Sequence, residues 1–353
     1  MRNIVIVFIL SILVPLVSIA QNNKAAATTN EPTGHAIQII LKPYQNTKIY
    51  IGTNYGKNRV LADSTILNAQ SEGVFESKTK LTPGIYFVVS PKYSILFDFL
   101  VDEKQHFKII ADTLSLNNFQ IIGSTENDIF KSYSKSINDL GMQLKTIENN
   151  YKTATNAKDS ARFKELYINK DKEVKAVRTN LIKTYPKSMT GFFLNVMQRP
   201  EVPAVPIVNG KADSLYPFYY VKNHFWDNVI FNDNRLIRTP FFEDKLDEYF
   251  KNYVSREPDS IIEELQYMLT VAKTGKEIYP FLLFKFTNKY ISPEFMGQEK
   301  VFLHLFQNFF AKGDTVLLNE ASKKSITERA YSMMANQLGL AAPSLVINTP
   351  DDK

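Results

Sequence analysis

The stretch from His224 to Pro240 gathers the groups in this 353-residue chain best suited to recognising a ligand. It holds the sole tryptophan, Trp226, together with Asp227, Asp233, Arg235 and Arg238. In a binding site Trp226 would be a stacking platform. Asp233, Arg235 and Arg238 would fix a polar or anionic ligand, because guanidinium groups make forked, charge-assisted hydrogen bonds. The same residues also fit a structural use. Trp226 would pack between helices and Asp233 would cap a turn or pair with an arginine. Thr239 would cap a helix starting at Pro240, a favoured first position.

Catalytic spacings are missing elsewhere. The sequence has no G-x-S-x-G, H-E-x-x-H, Walker loop or dinucleotide fingerprint. His35, His106, His224 and His304 are scattered over different segments, whereas zinc needs clustered ligands, so no metal and no cofactor is expected. With zero cysteines there is no thiolate, no disulfide and no cysteine-based zinc site. Asp244 with Asp247, and Glu263 with Glu264, read as solvated helix faces rather than acid–base pairs. No catalytic residue is assigned. An enzyme working through carboxylates or a histidine is the third-ranked reading.

Charge and the N-terminal run bear on compartment. Arg2, the apolar run Ile4 to Leu13 and the small-x-small site Ser18-Ile19-Ala20 predict a cleaved signal peptide over 1–20, with Gln21 as the new N-terminus. The protein is then exported to the periplasm or cell envelope, with no transmembrane segment after cleavage. A lipid anchor is excluded by the absent cysteine. The formal charge of +6 falls to +5 once Arg2 is removed. No nucleic-acid motif accompanies it, so nucleic acid is not an expected partner. Twelve basic against eight acidic residues lie between Glu126 and Lys183. That basic arm could contact anionic material, or be a solvated helix face with acids interspersed.

The elements that would position these groups fall into an α+β chain. Residues 21–34 lack periodicity and read as a flexible tether. Over 35–124, short β-branched and aromatic runs alternate with turn signals, predicting an N-terminal antiparallel β sandwich. Its strands are Ala36–Leu41, Lys48–Ile51, Val74–Ser77, Ile85–Val89, Ser94–Val101 and His106–Ile110, with Asn54–Asn58 as a loop. Phe130, Tyr133, Ile137, Leu140, Leu144, Ile147 and Tyr151 then step by 3 and 4, an a/d seam capped by Thr125. A second stripe, Phe163 to Leu181, runs until Pro186. Residues 125–186 therefore predict a long antiparallel helical hairpin, each arm of ~25 residues reaching ~38 Å. The proline-rich run Arg199 to Pro217 reads as a crossing loop. Over 187–338 the pattern predicts a helical domain, with helices near 241–254, 259–272, 277–290, 298–311 and 319–338.

This order of parts resembles the accessory regions that precede the thioredoxin-like domain in TlpA-like and peroxiredoxin-like envelope disulfide oxidoreductases. The similarity is carried by Glu72-Gly73-Val74-Phe75, Pro83-Gly84-Ile85-Tyr86, Ile122-Gly123-Ser124-Thr125, Phe225-Trp226-Asp227, the string Asp233 to Pro240, and Pro258-Asp259-Ser260. Gly339-Leu340-Ala341-Ala342-Pro343 is similar to the segment that opens the thioredoxin-like domain, so 339–353 reads as its truncated start. The resemblance implies a non-catalytic accessory or interaction protein of the envelope, partnered by a thioredoxin-like protein. It carries no activity over to any residue here, because the C-x-x-C pair is absent. The alternative is an envelope peptide- or glycan-binding module using a cleft between the β and helical domains. An aromatic-lined hollow around Trp226 and Arg238 would favour that alternative.

Overall fold

The computed structural model describes residues 33–314 and 318–334. The signal segment 1–20, most of the tether 21–34 and the tail 339–353 lie outside the described residues. The architecture is mixed α+β, with strands in the first part and helices in the rest.

Eight strands precede the first helix: β1 (His35–Lys42), β2 (Lys48–Tyr55), β3 (Asn58–Ile66), β4 (Glu72–Ser77), β5 (Gly84–Val89), β6 (Ile95–Val101), β7 (His106–Asp112) and β8 (Gln120–Ile122). They form two four-stranded sheets, ordered β4-β1-β7-β8 and β3-β2-β5-β6. Ile37, Ile39 and Leu41 of β1 alternate inward to meet Ile49, Ile51, Phe75, Tyr86, Phe99, Phe107 and Ile109 in one core fed by both sheets. Alternation is what a half-buried strand dictates, since successive side chains face opposite ways.

Three sequence expectations fail here. β1 pairs β7 in parallel, so its sheet is mixed rather than antiparallel. Alternation reports which face is buried but carries no strand direction. β3 was not anticipated and Asn54–Asn58 is not a loop. β2 runs to Tyr55, turns at Gly56 and Lys57, and returns at Asn58. β3 is an edge strand with mostly exposed side chains and hence no apolar period to read.

The helices are α1 (Thr125–Thr153), α2 (Ala157–Thr184), α3 (Met189–Met197), α4 (Tyr216–His224), α5 (Phe242–Asn252), α6 (Pro258–Ala272), α7 (Ile278–Tyr290), α8 (Glu299–Asn308) and α9 (Glu320–Met334). α1 is capped by Ser124, one residue before the expected Thr125, with its hydroxyl accepting from Asn127 N. α1 and α2 lie against one another. The a/d residues of α1 are only half-buried and Tyr151 is exposed, while Val174 is the sole buried residue of α2. α3 and α4 were missed. α3 is apolar on nearly every side, so it lacks a polar–apolar contrast, and α4 sits at the end of the supposed crossing loop behind Pro217. The helix expected to start at Pro240 starts at Phe242. Thr239 still serves it, because its hydroxyl accepts from Phe242 N.

A second core joins α5 to α9: Phe242, Leu246, Leu265, Met268, Leu269, Leu282, Phe286, Phe302, Leu305 and Ala330 are all buried in it. A small cluster, Leu100, Met189 and Phe193, links the β part to α3. Asn127 stitches α1 to β6 there: its Oδ1 accepts from Leu100 N at 2.7 Å and its Nδ2 donates to Leu100 O at 2.8 Å. Both groups are buried, so their loss leaves a backbone donor and acceptor unpaired. Asn127→Leu should therefore cost about 2–4 kcal/mol, read as a lower denaturation midpoint with an unchanged m-value.

Candidate functional site

The four residues singled out in the sequence are not brought together as one site. Residues 234–238 form a short 3-10 turn capped by Asp233, whose Oδ1 accepts from Arg235 N at 2.9 Å. Arg235 folds back on Asp233, with Nη2 to Oδ2 at 2.6 Å and Nε to Oδ1 at 3.0 Å. Its guanidinium also stacks 3.9 Å from the Phe192 ring centroid. Arg238 turns the other way, into the β part. It pairs with Glu277, covers the Tyr55 ring at 5.3 Å, and keeps its buried Nε without a hydrogen-bond partner among the described residues. Glu277 also accepts from the Thr82 hydroxyl at 2.7 Å. A Cβ at Gly84 would lie 2.3 Å from Arg238 Cβ, so only glycine lets β5 approach this closely. Both arginines already face internal carboxylates. Trp226 packs among Phe225, Phe231 and Tyr249, and its indole nitrogen is buried without a hydrogen-bond partner of normal geometry among the described residues.

The histidines also stay apart. His35 contacts Asp63 at 2.9 Å, His224 contacts Asp227 at 2.7 Å, and His304 contacts Gln266 at 3.1 Å. Among the described residues no group of three His, Cys, Asp or Glu side chains is placed to hold a metal ion.

A concave surface lies elsewhere. A cleft of about 720 Å³ opens between the β2–β3 turn and α5, α7 and the starts of α6 and α8. That volume is in the range of small-ligand sites. Phe250, Phe281, Phe284 and Phe295 line it, with Asn58, Asn288 and the charged Glu243, Asp247, Lys251, Arg256, Lys285, Lys289 and Glu294. Phe284 and Phe295 are 44% and 43% exposed, unusual for phenylalanine. Neither Trp226, Asp233, Arg235 nor Arg238 is among its lining residues.

An ion network holds one wall. Lys285 bridges Glu243 at 2.7 Å and Asp247 at 2.8 Å. Lys57, on the β turn, reaches Asp247 at 2.8 Å and Asp244 at 3.0 Å, and its backbone N donates to Glu243 Oε2 at 2.6 Å. Burial pushes the Asp247 carboxyl up, but hydrogen bonds from Lys285 and Lys57 outweigh it and hold the pKa below its ordinary value. The Lys57 ammonium is held well above its usual range by the hydrogen bonds it donates to Asp247 and Asp244. The carboxylate pairs read as solvated are thus each half committed. Glu263 faces solvent and Asp244, though exposed, pairs with Lys57, whereas Asp247 sits deeper in this network and Glu264 accepts from Tyr249 and pairs with Lys222.

Lys245 drew no attention in the sequence, because its spacing on α5 is ordinary. It is 5% exposed, and its ammonium donates to Val196 O at 2.6 Å and Gln198 O at 3.1 Å, closing the C-terminal end of α3. It has no carboxylate partner among the described residues. Burial, reinforced by nearby Arg199, lowers its pKa to about 8.

The fold and this cleft define an α+β protein with a ligand-sized hollow where its β and helical parts meet. Residues 164–336 match a family described as a domain of unknown function (DUF5106), a span from within α2 to the end of the chain's described helices. That span is just under half of the chain, and includes every cleft residue except Asn58. No curated protein and no solved structure matches the chain.

Two outcomes test this description. Arg238→Met leaves Glu277 half-buried without its cation and should cost about 2–3 kcal/mol, whereas adding Glu277→Met should recover part of that loss in a double-mutant cycle. For Lys245, the folded pKa lies below the unfolded one, so the unfolded chain binds more protons between about pH 8 and 10. The stability difference between the wild type and Lys245→Met should therefore shift in favour of the wild type across that window, by about 2–3 kcal/mol at most. Urea midpoints at pH 7 and pH 9.5 read it out.

Proposed function

We propose that the chain is a non-catalytic interaction protein of the cell envelope, and that it holds its partner in the cleft between the β2–β3 turn and α5 and α7. The observation that carries this is the pair of exposed phenylalanines, Phe284 and Phe295, in a concave surface of ligand size. Apolar rings left in water inside a hollow mark a surface that gains free energy when covered. The Asp247 carboxylate is held by the Lys285 and Lys57 ammonium groups, which lower its pKa, and a carboxylate so held is a poor proton acceptor.

In this reading the two sheets are the faces of a β sandwich, and α1 with α2 is an antiparallel hairpin arm standing off the body. Export rests on the apolar run Ile4 to Leu13 and the Ser18-Ile19-Ala20 site. The family resemblance suggests a thioredoxin-like partner. The cleft favours the second class weighed for this sequence, an envelope peptide, over a whole folded domain, because about 720 Å³ admits a few side chains.

A peptide array probed with the purified chain tests the reading. The wild type should retain a subset of peptides. The double variant Phe284→Asp with Phe295→Asp should lose at least about tenfold in affinity while melting at the same temperature. Equal binding by both proteins would remove the cleft from consideration, and retention on immobilised oligosaccharides alone would replace peptide with glycan.

A further inference from the structure

Lys289 lines the cleft with its ammonium in no ion pair and no hydrogen bond among the described residues. Its neighbours are rings: the Phe250 centroid at 5.5 Å and the Tyr290 centroid at 5.6 Å. Solvent reaches the side chain from the open side, yet protein surrounds it closely enough that burial lowers its pKa, with Asp247 opposing. The adjacent Lys285 is satisfied by two carboxylates, one turn earlier on the same helix face. Lys251 and Arg256 also line the cleft without an acidic partner among the described residues, Arg256 lying 4.9 Å from the Phe295 centroid. Of the lining carboxylates, Glu294 is in no ion pair among the described residues, and with Asp247 it acts on the Lys289 ammonium to raise its pKa.

We infer that the cleft takes the C-terminal end of a peptide, its carboxylate on the Lys289 ammonium and its last apolar side chain against the phenylalanine rings. This rests on the cleft being the binding surface. A lysine is a compact single charge and suits a monoanion. A phosphate dianion would meet Glu243, Asp247 and Glu294 in the same hollow. The exposed rings of Phe284 and Phe295 offer a surface to an apolar last side chain, which a uronic acid lacks. The side-chain amides of Asn58 and Asn288, on opposite walls, are suited to a peptide backbone.

Titration calorimetry of the full chain decides the matter with three probes: N-acetyl-Gly-Leu-Phe with a free carboxylate, the same peptide amidated, and a disaccharide ending in glucuronate. The free acid should bind at least about tenfold more tightly than the amide. Lys289→Gln should bring the acid down to the amide, and Lys289→Arg should keep most of the difference, both variants melting like the wild type. Acid and amide binding equally, with both lost in Phe284→Asp/Phe295→Asp, would leave the cleft as the site and overturn the carboxylate assignment. Binding of neither peptide would overturn the assignment and the cleft together. Binding of the disaccharide alone would overturn the peptide.

Discussion

Gly56 and Lys57 make the β turn on which the cleft depends. Gly56 sits at φ +61°, and a Cβ there would strike Glu243 Oε2 at 2.3 Å and the Phe281 ring at 2.7 Å. Its N–H donates to Ile237 O at 2.9 Å, so the turn is sewn to the 3-10 segment as well as to α5. Lys57 then delivers a cation to Asp244 and Asp247. Desolvation cancels much of the Coulomb gain of such half-buried pairs, so their net stabilisation is small. Their effect is on position. A misdocked turn would leave Lys285, Glu243 and Asp247 with unmatched charge in a partly dry wall, which costs far more than the pairs contribute when formed.

That constraint explains why a hollow survives between two well-packed cores. α7 buries Leu282, Leu283 and Phe286 in the helical core. Its opposite stripe, at helical spacing, is Phe281, Phe284, Lys285, Asn288 and Lys289. Phe281 meets Tyr55 edge-on at 5.5 Å and closes the inner end. Lys285 is spent on the network. Phe284, Asn288 and Lys289 are what remains of the stripe, one ring, one amide and one charge.

Much of the fold was legible in the sequence, and the reasons are physical. Strands β1 and β7 and helices α5, α6 and α8 each bury one face, and burial of one face writes a period into the residues, while β5, buried on both faces, shows as an apolar run behind the Pro83-Gly84 turn signal. β3 exposes most of its length and α3 buries nearly all of its surface, so neither writes one. The parallel pairing of β1 with β7 left no trace, because the pairing partner is remote in sequence. The cleft was hidden for a related cause. Its residues come from positions 58, 243–261 and 281–298, and each taken alone is an ordinary solvated lysine or a phenylalanine that reads as core. A hint was present in α7, where Phe284 and Lys289 fall on the face opposite the apolar stripe.

The string from Asp233 to Pro240 drew attention because its composition is unusual for a loop. Its neighbours account for that. Asn234 Oδ1 accepts from the N–H groups of Glu277 and Ile278, capping α7. Leu236 and Ile237 are fully buried, and Thr239 accepts from Phe242 N at the start of α5. Arg235 reaches α3 through Phe192, and Arg238 reaches the β part through Tyr55 and Gly84. Six residues thus meet two helix starts, α3 and one sheet, and nearly every side chain is fixed by a different neighbour. A segment under that many independent constraints looks like a motif whether or not a ligand ever touches it. A binding surface needs the opposite, side chains whose partners are not supplied by the fold, and in this chain those are found on α7 and beyond it, at Phe284, Lys289 and Phe295.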